Sequence, residues 1–148
     1  MNRPLLKRDL NLNYSKKMIL RWTGQGKAFK GVYGPGPEMT MDGSGETGPS
    51  PMDSLLLGLM GCMGIDLLFV LNKSRVDVGS LEIHASAERN HEPPQYFKRV
   101  HLTFVLGGVD SEARPKVDRA LQLSRDKYCS VFHSLRQDLD FETVVEGL

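Results

Sequence analysis

The chain has 148 residues, of which 40% are hydrophobic, so its composition suits one domain whose core needs no covalent cross-links. The formal net charge is +1, which gives no electrostatic case for binding nucleic acid or an acidic membrane surface. Residues 1–16 are polar and irregular, and we expect them to form an N-terminal arm. Residues 17–148 are expected to form one domain.

The N-terminus lacks the apolar stretch of roughly 7–15 residues and the small-residue cleavage site of a secretory signal. We therefore expect a cytoplasmic location, where thiols are normally kept reduced. The chain contains two cysteines. In that compartment a cysteine pair is more typical of a catalytic, redox-active or simply buried role than of a structural disulfide.

Three short strands are predicted in the first part of the chain. Apolar and polar residues alternate over residues 17–23, which is the period of a strand. A turn at residues 24–26 leads into a returning strand at residues 27–33. A third strand is predicted at residues 38–42, and the glycine-rich stretch at residues 43–50 predicts a loop.

A long helix follows this loop, and its start is the best-defined boundary in the sequence. Ser50 is a suitable cap, Pro51 fits the first helical position, and Asp53 has the spacing of a capping box with Ser50. We expect the helix to run to about Ser74. Because it is apolar nearly all round, it is predicted to be buried by more than one layer.

Glycines recur in this helix at every third position, namely Gly58, Gly61 and Gly64. Each costs about 1 kcal/mol relative to alanine in a helix interior, so we expect another backbone, such as a second helix, to pack closely here. The apolar stretch at residues 55–71 resembles a short membrane span. Asp66, the glycines and a length below the roughly 20 residues that a bilayer needs favour a core helix and no membrane association.

The rest of the chain is predicted to form two strands, two helices and a last strand, at residues 81–88, 97–106, 112–128, 131–137 and 141–146. Ser111 and Ser130 are the expected caps of the two helices. The complete order is βββαββααβ. Strands paired in hairpins with helices between them predict an α+β fold with a mostly antiparallel sheet.

Cys62 and Cys129 are the residues that suggest a chemistry. If the fold brings their sulfurs together they form a thiol redox site, and otherwise both are core residues. Cys62 lies about three turns inside its helix, so a cation from elsewhere is needed to lower the pKa of its thiol. Cys129 precedes Ser130, where the start of the next helix would stabilise a thiolate; alternatively it packs under the helix end.

Other site chemistries find little support in the sequence. The four histidines lack the spacing of metal ligands on a helix and no Cys-x-x-Cys is present, so we expect no metal. Gly-x-Ser-x-Gly and glycine-rich phosphate motifs are missing too, so no cofactor is expected. Asp53 has two interpretations: a first-turn acid that complements the helix dipole, or a residue that holds a cation beside a thiolate.

Four stretches taken together resemble the OsmC/Ohr family, the osmotically inducible protein C and organic hydroperoxide resistance proteins. They are residues 48–62 (GPSPMDSLLLGLMGC), 88–89 (ER), 94–97 (PQYF) and 123–131 (LSRDKYCSV). The similarity extends over roughly residues 18–145. It is greatest to the less-characterised OsmC-like branch, which has Ser-Pro-Met-Glu/Asp before the first cysteine.

The resemblance implies a fold and an activity. The implied fold is an intertwined α+β homodimer, with a mostly antiparallel sheet wrapped around a long central helix, and residues 17–148 as a single OsmC-like domain. The implied activity is reduction of organic hydroperoxides. Cys62 would be oxidised to a sulfenic acid, Cys129 would condense with it to a disulfide, and a dithiol reductant would restore both thiols.

The resemblance also implies an acid and an arginine that activate the thiolate. In well-studied members of the family a glutamate directly follows the helix-start proline, whereas here Met52 follows Pro51 and the acid is Asp53. One residue along a helix turns a side chain by about 100°. Arg21 and Lys27 are the candidates for the cation. Two alternatives stay open: a binding or redox-sensing protein with little peroxidase turnover, and a structural dimer with inert thiols.

Overall fold

The computed structural model describes residues 18–34 and 36–148. The predicted N-terminal arm, residues 1–16, lies outside the described residues. The chain divides into two compact units, the first ending at Leu55 and the second beginning at Leu56. This boundary falls within a helix, and each unit is described in turn.

The first unit contains a three-stranded antiparallel sheet in the order β1-β2-β3. Its strands are β1 (Ile19–Trp22), β2 (Ala28–Val32) and β3 (Met39–Asp42), which confirms the three predicted strands. The turn between β1 and β2 contains Gly24 with φ of 85° and Gly26 with φ of 50°. Both angles are in the left-handed region, where glycine is strongly favoured, and this explains the glycine pair.

Asp42 organises the loop between β3 and the long helix. It is buried, and its carboxylate accepts bonds of 2.7 to 3.0 Å from the amides and hydroxyls of Ser44 and Thr47. These bonds hold the pKa of Asp42 well below its usual range, and the bond from the Ser44 hydroxyl has the largest effect. The amide of Asp42 also donates to the carbonyl of Pro49 at 3.0 Å, which closes the loop just before the helix begins.

The long helix, α1, spans Pro51–Lys73. The predicted capping box is confirmed: the Asp53 amide donates to the Ser50 hydroxyl and the Ser50 amide donates to the Asp53 carboxylate, both at 3.1 Å. Arg75 then has a φ of 57°, the left-handed conformation in which many helices terminate. Both ends of α1 are therefore close to the predicted positions.

Only one side of α1 is buried. Its buried residues are Leu59, Met63, Gly64, Asp66, Leu67 and Leu71. On the other side, Leu57 is 54% exposed and Ile65 is 62% exposed. The prediction that several layers bury the helix is therefore wrong for the single chain.

The three helix glycines have different surroundings. A Cβ atom on Gly64 would lie 2.8 Å from Cδ1 of Ile83, whereas one on Gly58 or Gly61 would have no neighbour within 4 Å. The expected close approach occurs within the chain at Gly64 alone of these three. Gly58 and Gly61 lie on the exposed side, where residues 18–34 and 36–148 place no atom in contact with their Cβ positions.

By length and composition alone, α1 would be able to cross a membrane. It nevertheless carries the buried Asp66, and its other buried side chains join one hydrophobic core with the second sheet and the next helix. A carboxylate buried among neighbours of the same chain is typical of a core helix in a globular fold. The burial of Asp66 and of these apolar side chains supports the prediction of a core helix.

The second unit contains a sheet in the order β4-β5-β6. Its strands are β4 (Ser80–Arg89), β5 (Phe97–Gly107) and β6 (Asp140–Glu146). β4 and β5 are antiparallel, but β5 and β6 are parallel, with Val100 opposite Phe141. A parallel pair needs a long crossover, and residues 108–139 provide it.

The crossover differs from the predicted pair of helices. Instead of one helix over residues 112–128, a 3₁₀ turn (Ser111–Ala113) leads into α2 (Arg114–Leu123) and then a π turn (Ser124–Tyr128). The next helix, α3, is only Ser130–His133.

The two predicted caps in the crossover are also wrong. Asp110 caps the 3₁₀ turn in place of Ser111, because its carboxylate accepts the amide of Glu112 at 2.9 Å. Cys129 caps α3 in place of Ser130. In both cases the cap is the residue immediately before the predicted one, and the shift at α3 gives a cysteine sulfur the capping role.

The core of the second unit lies between α1, β5 and the crossover. Alternate residues of β5 are buried, as its period of two predicted: Val100, Leu102, Phe104 and Leu106. Val117, Ala120 and Leu121 of α2 and Cys129 belong to the same cluster. One of the two cysteines is therefore part of the core.

Candidate redox site

α1 and the end of the crossover bring three reactive side chains together. The Sγ atoms of Cys62 and Cys129 and a carboxylate oxygen of Asp66 all lie within 4.8 Å of one another. Asp66 follows Cys62 by four residues, so both project from the same face of α1. The two sulfurs are therefore neighbours within one chain, as a thiol redox site requires.

The two cysteines differ in exposure. Cys129 is fully buried, whereas Cys62 is only partly buried. Both are free thiols. A small molecule that approaches from solvent therefore meets Cys62 before Cys129.

Hydrogen bonds fix Cys129 at its backbone amide and at its sulfur. Its amide donates to the Ser124 carbonyl at 2.8 Å, which closes the π turn. Its Sγ accepts the amide of Phe132 at 3.3 Å, which is the cap of α3. The crossover thus fixes this sulfur through local bonds.

The pKa of the Cys129 thiol is raised to about 12, and burial is the main cause. The amide of Phe132 acts in the opposite direction, but hydrogen bonding and charge interaction with Cys62 and the charge of Asp66 add to the increase. The start of α3 therefore favours a Cys129 thiolate through this amide, but burial outweighs it, in keeping with the alternative that Cys129 packs under the helix end. The raised pKa favours the protonated form of the Cys129 thiol at neutral pH.

Asp66 is a site residue that the sequence interpretation missed. It is 3% exposed, and the hydroxyl of the fully buried Ser124 donates to its Oδ2 at 2.9 Å. In the sequence it counted only as a charge against a membrane span. Its four-residue spacing from Cys62 is the signal that would have found it, because that spacing places both side chains on one face of α1.

Replacing Ser124 with alanine is expected to lower the free energy of unfolding by about 1–3 kcal/mol, because the buried Asp66 carboxylate loses a donor. Urea unfolding of the reduced protein measures this change. Ser134→Ala is the control, since that exposed hydroxyl donates to the Ser130 carbonyl at 2.8 Å and its loss should cost no more than about 0.5 kcal/mol. Equal effects of the two changes would contradict the assigned bond.

The residues predicted to activate the thiolate belong to the first compact unit: Arg21, Lys27 and Asp53. Asp53 makes both bonds of the capping box with Ser50, as its structural interpretation requires. Its role beside a thiolate stays a prediction. The choice between Arg21 and Lys27 also stays open.

A family model described as OsmC-like protein matches residues 43–144, which is more than half of the chain and includes all three side chains of the site. The chain belongs to the OsmC-like family. This OsmC-like chain is 39% identical over 113 residues to Protein YhfA of Escherichia coli (strain K12), and the alignment covers 76% of this chain and 83% of that protein.

Solved structures confirm the predicted OsmC/Ohr fold for this OsmC-like chain. A hypothetical protein from Aquifex aeolicus VF5 is 25% identical, with a TM-score of 0.78 over 90% of this chain and 96% of that one. The organic hydroperoxide resistance protein OhrB of Bacillus subtilis is 19% identical, with a TM-score of 0.59 over 90% of this chain and 98% of that one.

Proposed function

We propose that this OsmC-like protein is a cysteine-based peroxidase that reduces organic hydroperoxides. The observation that supports it best is the placement of the Cys62 and Cys129 sulfurs within 4.8 Å of each other. The fold is shared with a protein named for organic hydroperoxide resistance, OhrB of Bacillus subtilis. The two thiols differ in exposure, and this difference supports a separate role for each sulfur.

Cys62 is the proposed peroxidatic residue. Its thiolate attacks one peroxide oxygen, the O–O bond breaks, and the leaving alkoxide takes up a proton and departs as the alcohol. Cys62 is oxidised to a sulfenic acid while the peroxide is reduced by two electrons. Partial exposure suits it for this step, and the raised pKa of the buried Cys129 thiol favours Cys62 as the attacking residue.

Cys129 is the proposed resolving residue. Its sulfur attacks the Cys62 sulfenic acid, an S–S bond forms, and the hydroxyl leaves with the Cys129 proton as water. The sulfurs must approach from within 4.8 Å to a bond length of about 2.0 Å. A dithiol reductant then supplies two electrons and returns both residues to thiols. No metal or cofactor takes part.

Counting thiols tests the proposal directly. Fully reduced protein is mixed anaerobically with cumene hydroperoxide, and free thiols are titrated after unfolding. We expect two thiols to be lost per subunit, and mass spectrometry of a non-reducing digest should show a peptide pair joined through Cys62 and Cys129. Undiminished thiols after excess peroxide would reject the proposal.

A redox-sensing or binding role with little turnover is the second candidate. It is favoured by the position of Asp53, which follows the helix-start proline by two residues and serves the capping box with Ser50. In that case peroxide still oxidises the thiols once. The two candidate functions differ in turnover. When dithiothreitol is supplied to reduce the disulfide, only a peroxidase consumes many equivalents of peroxide.

We also propose that two copies pair through the exposed side of α1, defined here as the open face: Leu57, Gly58, Gly61 and Ile65. Its two large side chains are more than half exposed, and no atom of the described part of the chain lies within 4 Å of a Cβ position on either glycine. Small residues allow a second helix backbone to approach closely, so a homodimer explains the glycines. A cytoplasmic location, where both thiols stay reduced, completes the proposal.

A further inference from the structure

We propose that the reduced site also binds one Zn²⁺ ion, with the sulfurs of Cys62 and Cys129 and the carboxylate of Asp66 as ligands, and that the ion displaces the thiol protons to solvent as it binds. The sequence predicted no metal, because the four histidines lack the spacing of metal ligands on a helix and no Cys-x-x-Cys is present. The fold supplies what spacing does not, since it places three donor atoms on two separate elements within 4.8 Å of one another.

The separation of the donors suits a zinc ion. Zinc binds thiolate at about 2.3 Å and carboxylate at about 2.0–2.2 Å, so two sulfurs on a tetrahedral ion lie roughly 3.8 Å apart. From their limit of 4.8 Å the two sulfurs therefore need to close by no more than about 1 Å, and each sulfur and the carboxylate oxygen by no more than about 1.3 Å. Two soft sulfurs with one oxygen favour zinc over calcium or magnesium, which prefer oxygen alone.

Neighbouring groups already orient two of the three ligands. Ser124 donates to Oδ2 of Asp66 at 2.9 Å, and the amide of Phe132 donates to Sγ of Cys129 at 3.3 Å. Hydrogen bonds of this kind fix ligand orientation and strengthen metal sites. Asp66 and Cys129 are also buried, so two of the three ligands are shielded from water before any ion arrives.

Zinc and oxidation would exclude each other at this site. A bound ion occupies the Cys62 sulfur and withholds it from peroxide, whereas a Cys62–Cys129 disulfide removes both sulfur ligands and releases the ion. Competition with peroxide rests on the proposed peroxidase function, but zinc binding to the reduced protein does not. The two proposals can therefore fail separately.

Equilibrium dialysis of the full-length, fully reduced protein against Zn²⁺ under anaerobic conditions tests the binding. We expect one zinc per wild-type subunit. Cys62→Ser and Asp66→Asn should each weaken binding at least about tenfold, because each removes a ligand of normal strength. Asp77→Asn, which removes an exposed carboxylate outside the site, should leave affinity unchanged.

Cobalt substitution and thiol protection test the ligands by other means. Wild-type protein with Co²⁺ should show intense thiolate-to-cobalt absorption that Cys62→Ser lacks, and zinc should slow alkylation of both wild-type thiols, a measurement that needs no variant. Three results would each overturn the proposal: no zinc bound by wild type beyond that bound by Cys62→Ser, undiminished affinity in a folded Asp66→Asn, or unprotected wild-type thiols.

Discussion

Replacing Cys62 with serine is expected to lower kcat/KM for cumene hydroperoxide at least about 10³-fold. A serine hydroxyl is nearly isosteric with the thiol but is a far weaker nucleophile at neutral pH, and loss of the attacking atom removes the first covalent step. Because Cys62 is only partly buried, the fold should tolerate the change. Peroxide consumption in the presence of dithiothreitol measures the rate.

Cys129→Ser is the matched variant for this prediction, since it removes the other sulfur and leaves the first step intact. It should still lose its one thiol to peroxide, and dimedone should trap the sulfenic acid at Cys62. Without Cys129 the sulfenic acid has no internal thiol to resolve it, so sulfinic acid should accumulate at high peroxide. Wild-type rates in Cys62→Ser would contradict the assignment of the two roles.

Replacing Ile65 with lysine is expected to weaken self-association at least about 30-fold and to yield a monomer at micromolar concentration. Ile65 is 62% exposed in the chain and is the more exposed of the two large side chains of the open face, so the proposed partner helix would bury it. A lysine there places an unpaired charge in an apolar interface, and a well-packed apolar contact of this kind contributes about 2 kcal/mol or more. Sedimentation equilibrium measures the dissociation constant.

Val144→Lys is the control, because Val144 is a 36% exposed β-branched residue that lies on β6 and is not part of the open face. It should leave the dissociation constant unchanged. Gly61→Ala distinguishes a monomer, in which this face is solvated, from a dimer, in which a partner helix packs on it. On a solvated helix alanine adds up to about 1 kcal/mol of stability, whereas under a closely packed partner its methyl group weakens the dimer. An unchanged dissociation constant in Ile65→Lys would contradict pairing through this face.

The element order was predictable from the sequence because its signals are local. Alternation marked the strands, and the Ser50 and Asp53 spacing located the start of α1 to the residue. The parallel pairing of β5 with β6 was not predictable in this way, since it depends on contacts between strands separated by the whole crossover. The π turn was not predicted either, because the sequence pattern of its residues is that of an ordinary α-helix.

The site was predictable only in part, and for a related reason. Cys62 and Cys129 are 67 positions apart, so no spacing rule joins them, and their pairing rested on the resemblance to a family. The raised pKa of Cys129 reflects burial, which the local sequence around it does not reveal. Asp66 was within reach of a helical-face argument from Cys62, but its bond to Ser124 joins two distant elements.

The parallel register of β5 and β6 carries a consequence for the thiols. Residues 108–139 connect the end of β5 at Gly107 to the start of β6 at Asp140, which lies opposite Arg99 near the start of β5, and Cys129 lies in this connection. A chain truncated before Asp140 would keep all the reactive side chains but would lose β6, whose pairing with β5 anchors the C-terminal end of this connection. The spacing between the two sulfurs is thus maintained by a C-terminal segment that contributes no chemistry of its own.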